Sequence, residues 1–258
     1  ERLGLPPVLA NIGKLKRGMV LTTGPTGTGK STTMAAIVDY INNTRAEHII
    51  TIEDPIEFVH KDKLSLVEQR EIGLDARSFE EGLRHALRQD PNVIMIGEMR
   101  DRETILIAIR AAMTGHLVIS TLHTINAVHT VSRMVKYFSV EEQDSMRNEI
   151  ATALKAVVSQ RLVPTKDGKG RIPCVEVMIV NDIVRKLIME NRILDIEQVI
   201  RNGVDEMQSF DQSLAHLCRA GKISMETGEE YSDDIAGYRR LCKGVSAGTD
   251  RAGLIGGF

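Results

Sequence analysis

The sequence has no tryptophan, and its five Phe and four Tyr make up an aromatic share of only 3%. An aromatic platform for stacking single-stranded nucleic acid is therefore not expected. The core has to be built from Ile, Val, Leu, Met and Ala, as buried parallel strands under helices usually are. Cysteine is scarce too. Cys174, Cys218 and Cys242 are too few for a disulfide framework and too widely spaced for a four-thiolate zinc site, which favours a reducing compartment. No apolar run approaches the roughly 20 residues of a membrane span. Charge of neither sign dominates: 33 Lys and Arg face 35 Asp and Glu, for a net −2. A uniformly basic nucleic-acid coat is excluded, whereas local basic patches stay open.

The 258 residues, 42% of them hydrophobic, suit one large packed domain or one with an appendage. From Gly18 to about Ser120, short apolar runs alternate with helical stretches, the pattern of βα units on a parallel sheet. Strands are expected at Met19–Thr22, His48–Ile52, Val93–Ile96 and Leu117–Ser120, and helices at Ser31–Asn42, Ser78–Arg88 and Arg102–Met113. Lys61–Gly73 reads as a strand-rich excursion. Gln160–Val180 reads as a hairpin turning at Asp167-Gly168-Lys169-Gly170. After Asn181 only helical patterns follow: Ile183–Glu190, Ile196–Asn202, Phe210–Ala220 and Ser224–Leu241. The expected division is a core over residues 1–180, a helical subdomain over 181–243 and a flexible tail over 244–258. The lack of an initiator Met and the start at Glu1 read as a longer protein that has been cut.

The most specific feature is Gly24-Pro25-Thr26-Gly27-Thr28-Gly29-Lys30-Ser31, a complete G-x-x-x-x-G-K-S loop followed by Thr32, placed after an apolar strand and before a helix. Its glycines let backbone N–H groups turn in around phosphates, and the helix start adds positive charge. Lys30 reaches the β- and γ-phosphates, and Ser31 can coordinate Mg²⁺. Such a loop needs a carboxylate from another strand end, and Val93–Ile96 runs through Gly97 into Glu98. Glu98 is the candidate for the metal and water side. The strand His48–Ile52 runs into Glu53-Asp54-Pro55-Ile56-Glu57, and in an extended segment Glu53, Pro55 and Glu57 share a face. Glu57 is a candidate for orienting or deprotonating the attacking water. For Glu53 and Asp54, a capping or surface ion-pair role stands beside a catalytic one. His116 and His123 flank the strand Leu117–Ser120, and His123, beyond its end, is placed to sense the γ-phosphate.

In these motifs the chain resembles the PilT-like motors of type IV pili within the secretion ATPase superfamily. Three ordered segments carry the resemblance. Thr51-Ile52-Glu53-Asp54-Pro55-Ile56-Glu57 is similar to the family's Asp box. Ile94-Met95-Ile96-Gly97-Glu98-Met99-Arg100-Asp101 is similar to its atypical Walker B, and Thr114-Gly115-His116 through Thr121-Leu122-His123 to its His box. The resemblance implies an α/β, RecA-like P-loop core with a largely parallel central sheet and a C-terminal helical appendage. It implies ATP and Mg²⁺ as cofactors, Glu57 as the catalytic glutamate, and His116 and His123 coupling nucleotide state to ring shape. Arg133 matches a family arginine near a subunit boundary.

Two further features resemble the retraction branch. The four-cysteine insertion of assembly and type II secretion ATPases is missing, since Gln160-Arg161-Leu162-Val163-Pro164 leads straight into a short hairpin. Ile183-Val184-Arg185-Lys186-Leu187-Ile188-Met189-Glu190 is similar to the family's AIRNLIRE helix, keeping Arg185, Leu187, Ile188 and Glu190. The implied protein is a homohexameric pilus retraction motor at the cytoplasmic face of the inner membrane, working on a platform protein. The family carries a PAS-like domain ahead of the segment seen here, so assembly and turnover are expected to be impaired in this piece. A related secretion or assembly ATPase, a RecA-like nucleic-acid translocase and a non-hydrolysing partner subunit are the competing readings. DNA or RNA binding is not expected: Arg84, Arg88, Arg100, Arg102 and Arg110 are interspersed with acids and read as a solvated or subunit-facing surface.

Overall fold

The run Gly18–Thr23 has no exposed position, so its side chains must be covered on both faces, and the architecture follows from that requirement. The computed structural model describes residues 4–244. In chain order the elements are α1 (Val8–Gly13), β1 (Gly18–Thr23), α2 (Lys30–Thr44), β2 (His48–Glu53), β3 (Leu66–Glu71), α3 (Phe79–Ala86), β4 (Val93–Ile96), α4 (Arg102–Met113), β5 (Leu117–Leu122), α5 (Ala127–Lys136), α6 (Gln143–Ala153), β6 (Leu154–Pro164) and β7 (Arg171–Ile179). Then come α7 (Asp182–Met189), α8 (Ile196–Arg201), α9 (Phe210–Arg219), α10 (Met225–Tyr231) and α11 (Ile235–Cys242).

The strands form one seven-stranded sheet in the order β3-β2-β4-β5-β1-β6-β7. All neighbours are parallel except the β6–β7 hairpin. Alternation along each strand splits the core in two. Met19, Leu21, Ile50, Ile52, Ile94 and Ile96 pack under α3 to α8, while Val20, Ile49, Met95 and Ile119 pack with Val8, Ile12, Met34 and Ile41 from α1 and α2. Each fully buried aliphatic side chain contributes about 1.5–3 kcal/mol. Helix starts are fixed locally: Ser78 caps α3 through Glu81 N, and Asp101 caps α4 through Thr104 N at 2.7 Å.

The fold class is the expected one, α/β with a largely parallel sheet. Several details differ from expectation. Lys61–Gly73 is no excursion: its strand β3 is the parallel edge of the main sheet, zipped to β2 from His48 and Leu66 to Glu53 and Glu71. β6 begins at Leu154, and α6, unmarked in the sequence reading, precedes it directly. The expected helix Ser224–Leu241 is two helices, α10 and α11. Asp211 accepts from Asp233 N at 2.9 Å and Asp234 N at 3.2 Å, holding the chain in a turn where local periodicity would continue the helix. The expected division at residue 180 does not coincide with a break in the core. Val184, Leu187, Ile188, Ile196 and Ile200 belong to the main cluster, while Phe210, Leu214, Leu217, Ile223 and Tyr238 form a separate cluster on Val163 and Cys174 of the hairpin. The expected tail lies outside the described residues beyond Gly244. Among the described residues, no helix is long and apolar enough to cross a membrane.

Candidate nucleotide site

Parallel pairing brings the C-terminal ends of β1, β2, β4 and β5 to one edge of the sheet, where ligands bind in open α/β folds. Each end leads into one motif: β1 into Gly24–Ser31, β2 into Glu53–Glu57, β4 into Glu98, and β5 into His123. Together they wall a cavity of about 510 Å³ that includes Thr26, Gly27, Gly29, Lys30, Ser31, Thr32, Glu53, Asp54, Glu57, Glu98 and His123.

The phosphate loop is shaped by contacts the motif alone does not state. Gly24 has φ of 142°, and a Cβ there would lie 2.4 Å from Gln160 O, so β6 backs the loop too closely for a side chain. Thr28 Oγ1 donates to Pro25 O at 2.9 Å, closing the turn. Gly29, left-handed at φ 88°, begins the 15-residue helix α2 without any side-chain cap, so its first N–H groups are free to hold an anion. Lys30 is buried, and its ammonium donates to Gly24 O at 2.9 Å and Pro25 O at 3.0 Å. Burial pulls the Lys30 amine below the usual lysine range, with Glu98 and then Glu57 pulling it back.

Ser31 donates its hydroxyl to Glu57 Oε1 at 3.1 Å, joining the phosphate loop to the acidic segment after β2. Glu98 is held from two sides, by Arg100 Nη2 at 2.7 Å on Oε2 and by His123 Nε2 at 3.0 Å on Oε1. Burial would raise the Glu98 carboxyl, but the Arg100 hydrogen bond and the His123 charge bring it below its ordinary range. Thr121 Oγ1 donates to Gly97 O at 2.7 Å and fixes the turn that presents Glu98. Glu53 is buried, its Oε1 accepting from Thr51 Oγ1 at 2.6 Å and Gln69 Nε2 at 3.0 Å, an arrangement that braces β2 and β3. Asp54 is exposed at the cavity rim.

The other sequence candidates lie elsewhere. His116 precedes β5, at the opposite edge of the sheet from His123, about 20 Å away along a six-residue strand. Its Nδ1 lies 2.9 Å from Ala111 O, so it ties the end of α4 to the start of β5. Arg133 stands on α5 beside a second cavity of about 400 Å³ that shares Glu98, Arg100 and His123 with the first, its guanidinium 5.0 Å from the Tyr137 ring centre. On α7, Leu187 is buried in the main core, Arg185 pairs with Asp182 at 2.5 Å, and Glu190 lies 3.8 Å from Lys186. None of the three lines the phosphate cavity.

Two residues belong to the site without having been chosen from the sequence. Arg100, read as a surface base, pairs with Glu98, and its position two residues beyond that acid was the available signal. Gln160 is buried, and its amide donates to Thr33 Oγ1 at 2.9 Å, bracing α2 from β6. Nothing in the local sequence marks it, because its partner is 127 positions away.

A phosphate loop ahead of a helix, with carboxylates delivered from neighbouring parallel strands, defines a nucleotide-binding α/β protein of the P-loop class. The chain matches the family described as type II/IV secretion system protein over residues 7–227, and it belongs to that family. It is 51% identical to a twitching motility protein of Neisseria gonorrhoeae over 91% of this chain and 63% of the relative. It is 48% identical to the type IV pilus retraction ATPase PilT of Pseudomonas aeruginosa, over 89% of this chain and 67% of the relative. The crystal structure of the pilus retraction motor PilT with bound ADP superposes with a TM-score of 0.86 at 46% identity, covering 93% of this chain and 68% of that one. The Legionella pneumophila ATPase DotB follows with a TM-score of 0.81 at 33% identity, covering 89% of this chain and 63% of that one. The chain thus spans about two thirds of the length of the proteins it resembles.

Proposed function

We propose that this chain binds and hydrolyses ATP and is the motor part of a hexameric ring that powers type IV pilus retraction. The observation that carries the nucleotide reading is the Ser31–Glu57 hydrogen bond at 3.1 Å, which puts a carboxylate on the rim of the phosphate loop in the cavity that Lys30 and Glu98 also line. A phosphate bound by the loop takes over the Lys30 ammonium from Gly24 O and Pro25 O, an exchange of neutral acceptors for charged ones. The donor set of Ser31 hydroxyl and Glu98 carboxylate fits Mg²⁺, a hard cation that takes oxygen ligands and shares its shell with phosphates and water. Bound there, Mg²⁺ would offset charge on the β- and γ-phosphate oxygens.

Glu57 orients the attacking water and accepts its proton as the water oxygen bonds to the γ-phosphorus and the bond to the β-phosphate oxygen breaks. Lys30 stabilises the charge that develops on the leaving phosphate. Glu98 would reach the metal through the same carboxylate that His123 and Arg100 hold. His123 thereby becomes a sensor: nucleotide entry and the position of the β5–α5 loop compete for one carboxylate.

The retraction assignment rests on the similarity to the twitching motility protein and to PilT over about nine tenths of this chain. The homohexameric ring, the platform protein and the cytoplasmic face of the inner membrane as site of action are part of the proposal and rest on the family resemblance of the Asp box, Walker B and His box segments. Two experiments test the proposal. Lys30→Ala should abolish ADP binding, while Glu57→Ala and Glu98→Gln keep binding and lose phosphate release; normal turnover in either glutamate variant removes the assignment. Deleting the gene should leave cells with excess surface pili and no twitching, whereas loss of pili would point to assembly instead.

A further inference from the structure

Glu176 is a carboxylate in the middle of β7, 7% exposed, where the neighbouring positions Val175 and Val177 are core. An apolar side chain would satisfy packing there, and a buried charge is costly unless it is well paired. Its partners are specific. One carboxylate oxygen accepts the Ala127 N–H at 2.7 Å, at the first residue of α5. Directly across the hairpin ladder stands Ser159. The Ser159 hydroxyl accepts from Thr23 Oγ1 at 3.0 Å, beside the Glu176 carboxylate across the ladder. Thr23 is the last residue of β1, immediately before Gly24.

These residues link the root of the phosphate loop to the start of α5 across the β6–β7 ladder. Thr23 donates to Ser159, Ser159 faces Glu176 on the paired strand, and Ala127 N–H donates to Glu176. His123, which holds Glu98, lies in the short loop between β5 and Ala127. We propose that Glu176 is a positioning residue of the nucleotide site: it fixes the His123 loop and the start of α5 against the root of the phosphate loop through Ser159 and Thr23. The inference rests on the ATPase reading given above, because the site it positions is the one that reading assigns.

The charge around Glu176 makes the chain of contacts adjustable. Burial pushes its carboxyl up to about 7, against the pull of the Ala127 N–H, the Ser159 hydroxyl and Arg161 on β6. Asp233, in the α10–α11 connection, pushes the same way as burial. α5 presents the Ala127 N–H, and β1 acts through Thr23 and Ser159. The ionised carboxylate accepts the Ala127 hydrogen bond more strongly than the neutral acid, so the connection tightens as pH rises through neutrality.

Turnover and ADP affinity should be measured across neutral pH for the wild type, Glu176→Gln and Ser159→Ala. Glu176→Gln is expected to lower kcat by about tenfold, change nucleotide affinity less than about twofold, and remove an inflection near neutrality from the kcat profile. Ser159→Ala should act in the same direction. A Glu176→Gln enzyme with wild-type kcat and the inflection intact overturns the proposal. A readout free of turnover keeps this result separate from the ATPase assignment. In the nucleotide-free wild-type chain, the backbone amide signals of Thr23, Thr124 and Ala127 should titrate together near neutral pH, and in Glu176→Gln they should not. Independent or unchanged signals overturn the positioning role even if ATP is hydrolysed. Absence of hydrolysis in the assembled full-length protein, with the shared titration present, removes the ATPase reading instead.

Discussion

His123 Nε2 lies 3.0 Å from Glu98 Oε1, while the other oxygen of that carboxylate holds Arg100 Nη2 at 2.7 Å. The loop after β5 and the loop after β4 are thus joined through the acid expected to serve the metal. Removing the imidazole leaves Glu98 bound by Arg100 alone. His123→Ala should therefore lower kcat by roughly ten- to a hundredfold while ADP affinity, set mainly by the phosphate loop, changes little. Parallel phosphate-release and ADP-titration experiments measure the two; an equal loss in both would mean that His123 shapes the pocket and not the reaction.

The same pairs give Glu98 a pH signature. Its carboxyl is depressed below the ordinary 4.5 because its hydrogen-bond and charge partners outweigh burial. Its contribution to stability is accordingly present above about pH 4.5 and is lost as pH falls through the depressed value. The thermal-stability gap between the wild type and Glu98→Gln should narrow as pH is lowered through that window. A gap that widens on acidification would show that the partners do not stabilise the charged form.

Ser31 donates to Glu57 and is also the hydroxyl expected on Mg²⁺. Ser31→Ala should weaken Mg-ATP binding by roughly tenfold, the worth of one hydrogen bond to a charged group, and affect metal-free nucleotide much less. Calorimetric titrations with and without Mg²⁺ read the difference. An equal effect in both series would move the metal site elsewhere.

Gly24 combines φ of 142° with Gln160 O at 2.4 Å from where a Cβ would stand. Gly24→Ala should cost about 1–3 kcal/mol through strain and collision, and should displace the loop from Lys30. A drop in melting temperature together with loss of ADP binding is expected. Intact binding would show that the β6 backing is not needed.

Arg161 on β6 lies over the Phe210 ring at 3.8 Å and reaches Asp233 at 3.0 Å, tying the hairpin to the cluster of α9 to α11. Arg161→Ala should destabilise that cluster by about 1–2 kcal/mol. Hydrogen exchange should rise in α9 and α11 and stay unchanged in β1 and β4. Uniform exchange across the chain would make the cluster inseparable from the main core.

The phosphate loop was legible because its requirements are local. Glycines, Lys30 and Ser31 follow one another within a single strand-turn-helix unit, so the residues needed for the chemistry are adjacent in sequence. Glu57 and Glu98 were legible for a related reason, since an apolar run ending in an acid marks a strand end in a parallel sheet. His123 was legible by the same rule, because it follows a strand whose C-terminal end faces the cavity. His116, set beside it by the family resemblance, precedes that strand and lies at the far edge. Arg100 read as surface because it stands among arginines interspersed with acids, a pattern that does not say which acid it meets. The single helix expected over Ser224–Leu241 failed because Asp211, distant in sequence, holds the turn.

By itself the sequence determined the chemistry: a phosphate-binding loop, acids at strand ends, and an aliphatic core able to cover a parallel sheet on both faces. Tertiary structure decided which of those groups meet. Glu176 illustrates the division, since along the chain it is one acid in an apolar strand. Its hydrogen-bond partner Ala127 comes from α5, and the pairing of β6 with both β1 and β7 sets Ser159, which Thr23 holds, directly across from it. Contacts of that kind depend on the register between strands, which long-range packing sets and local sequence does not carry.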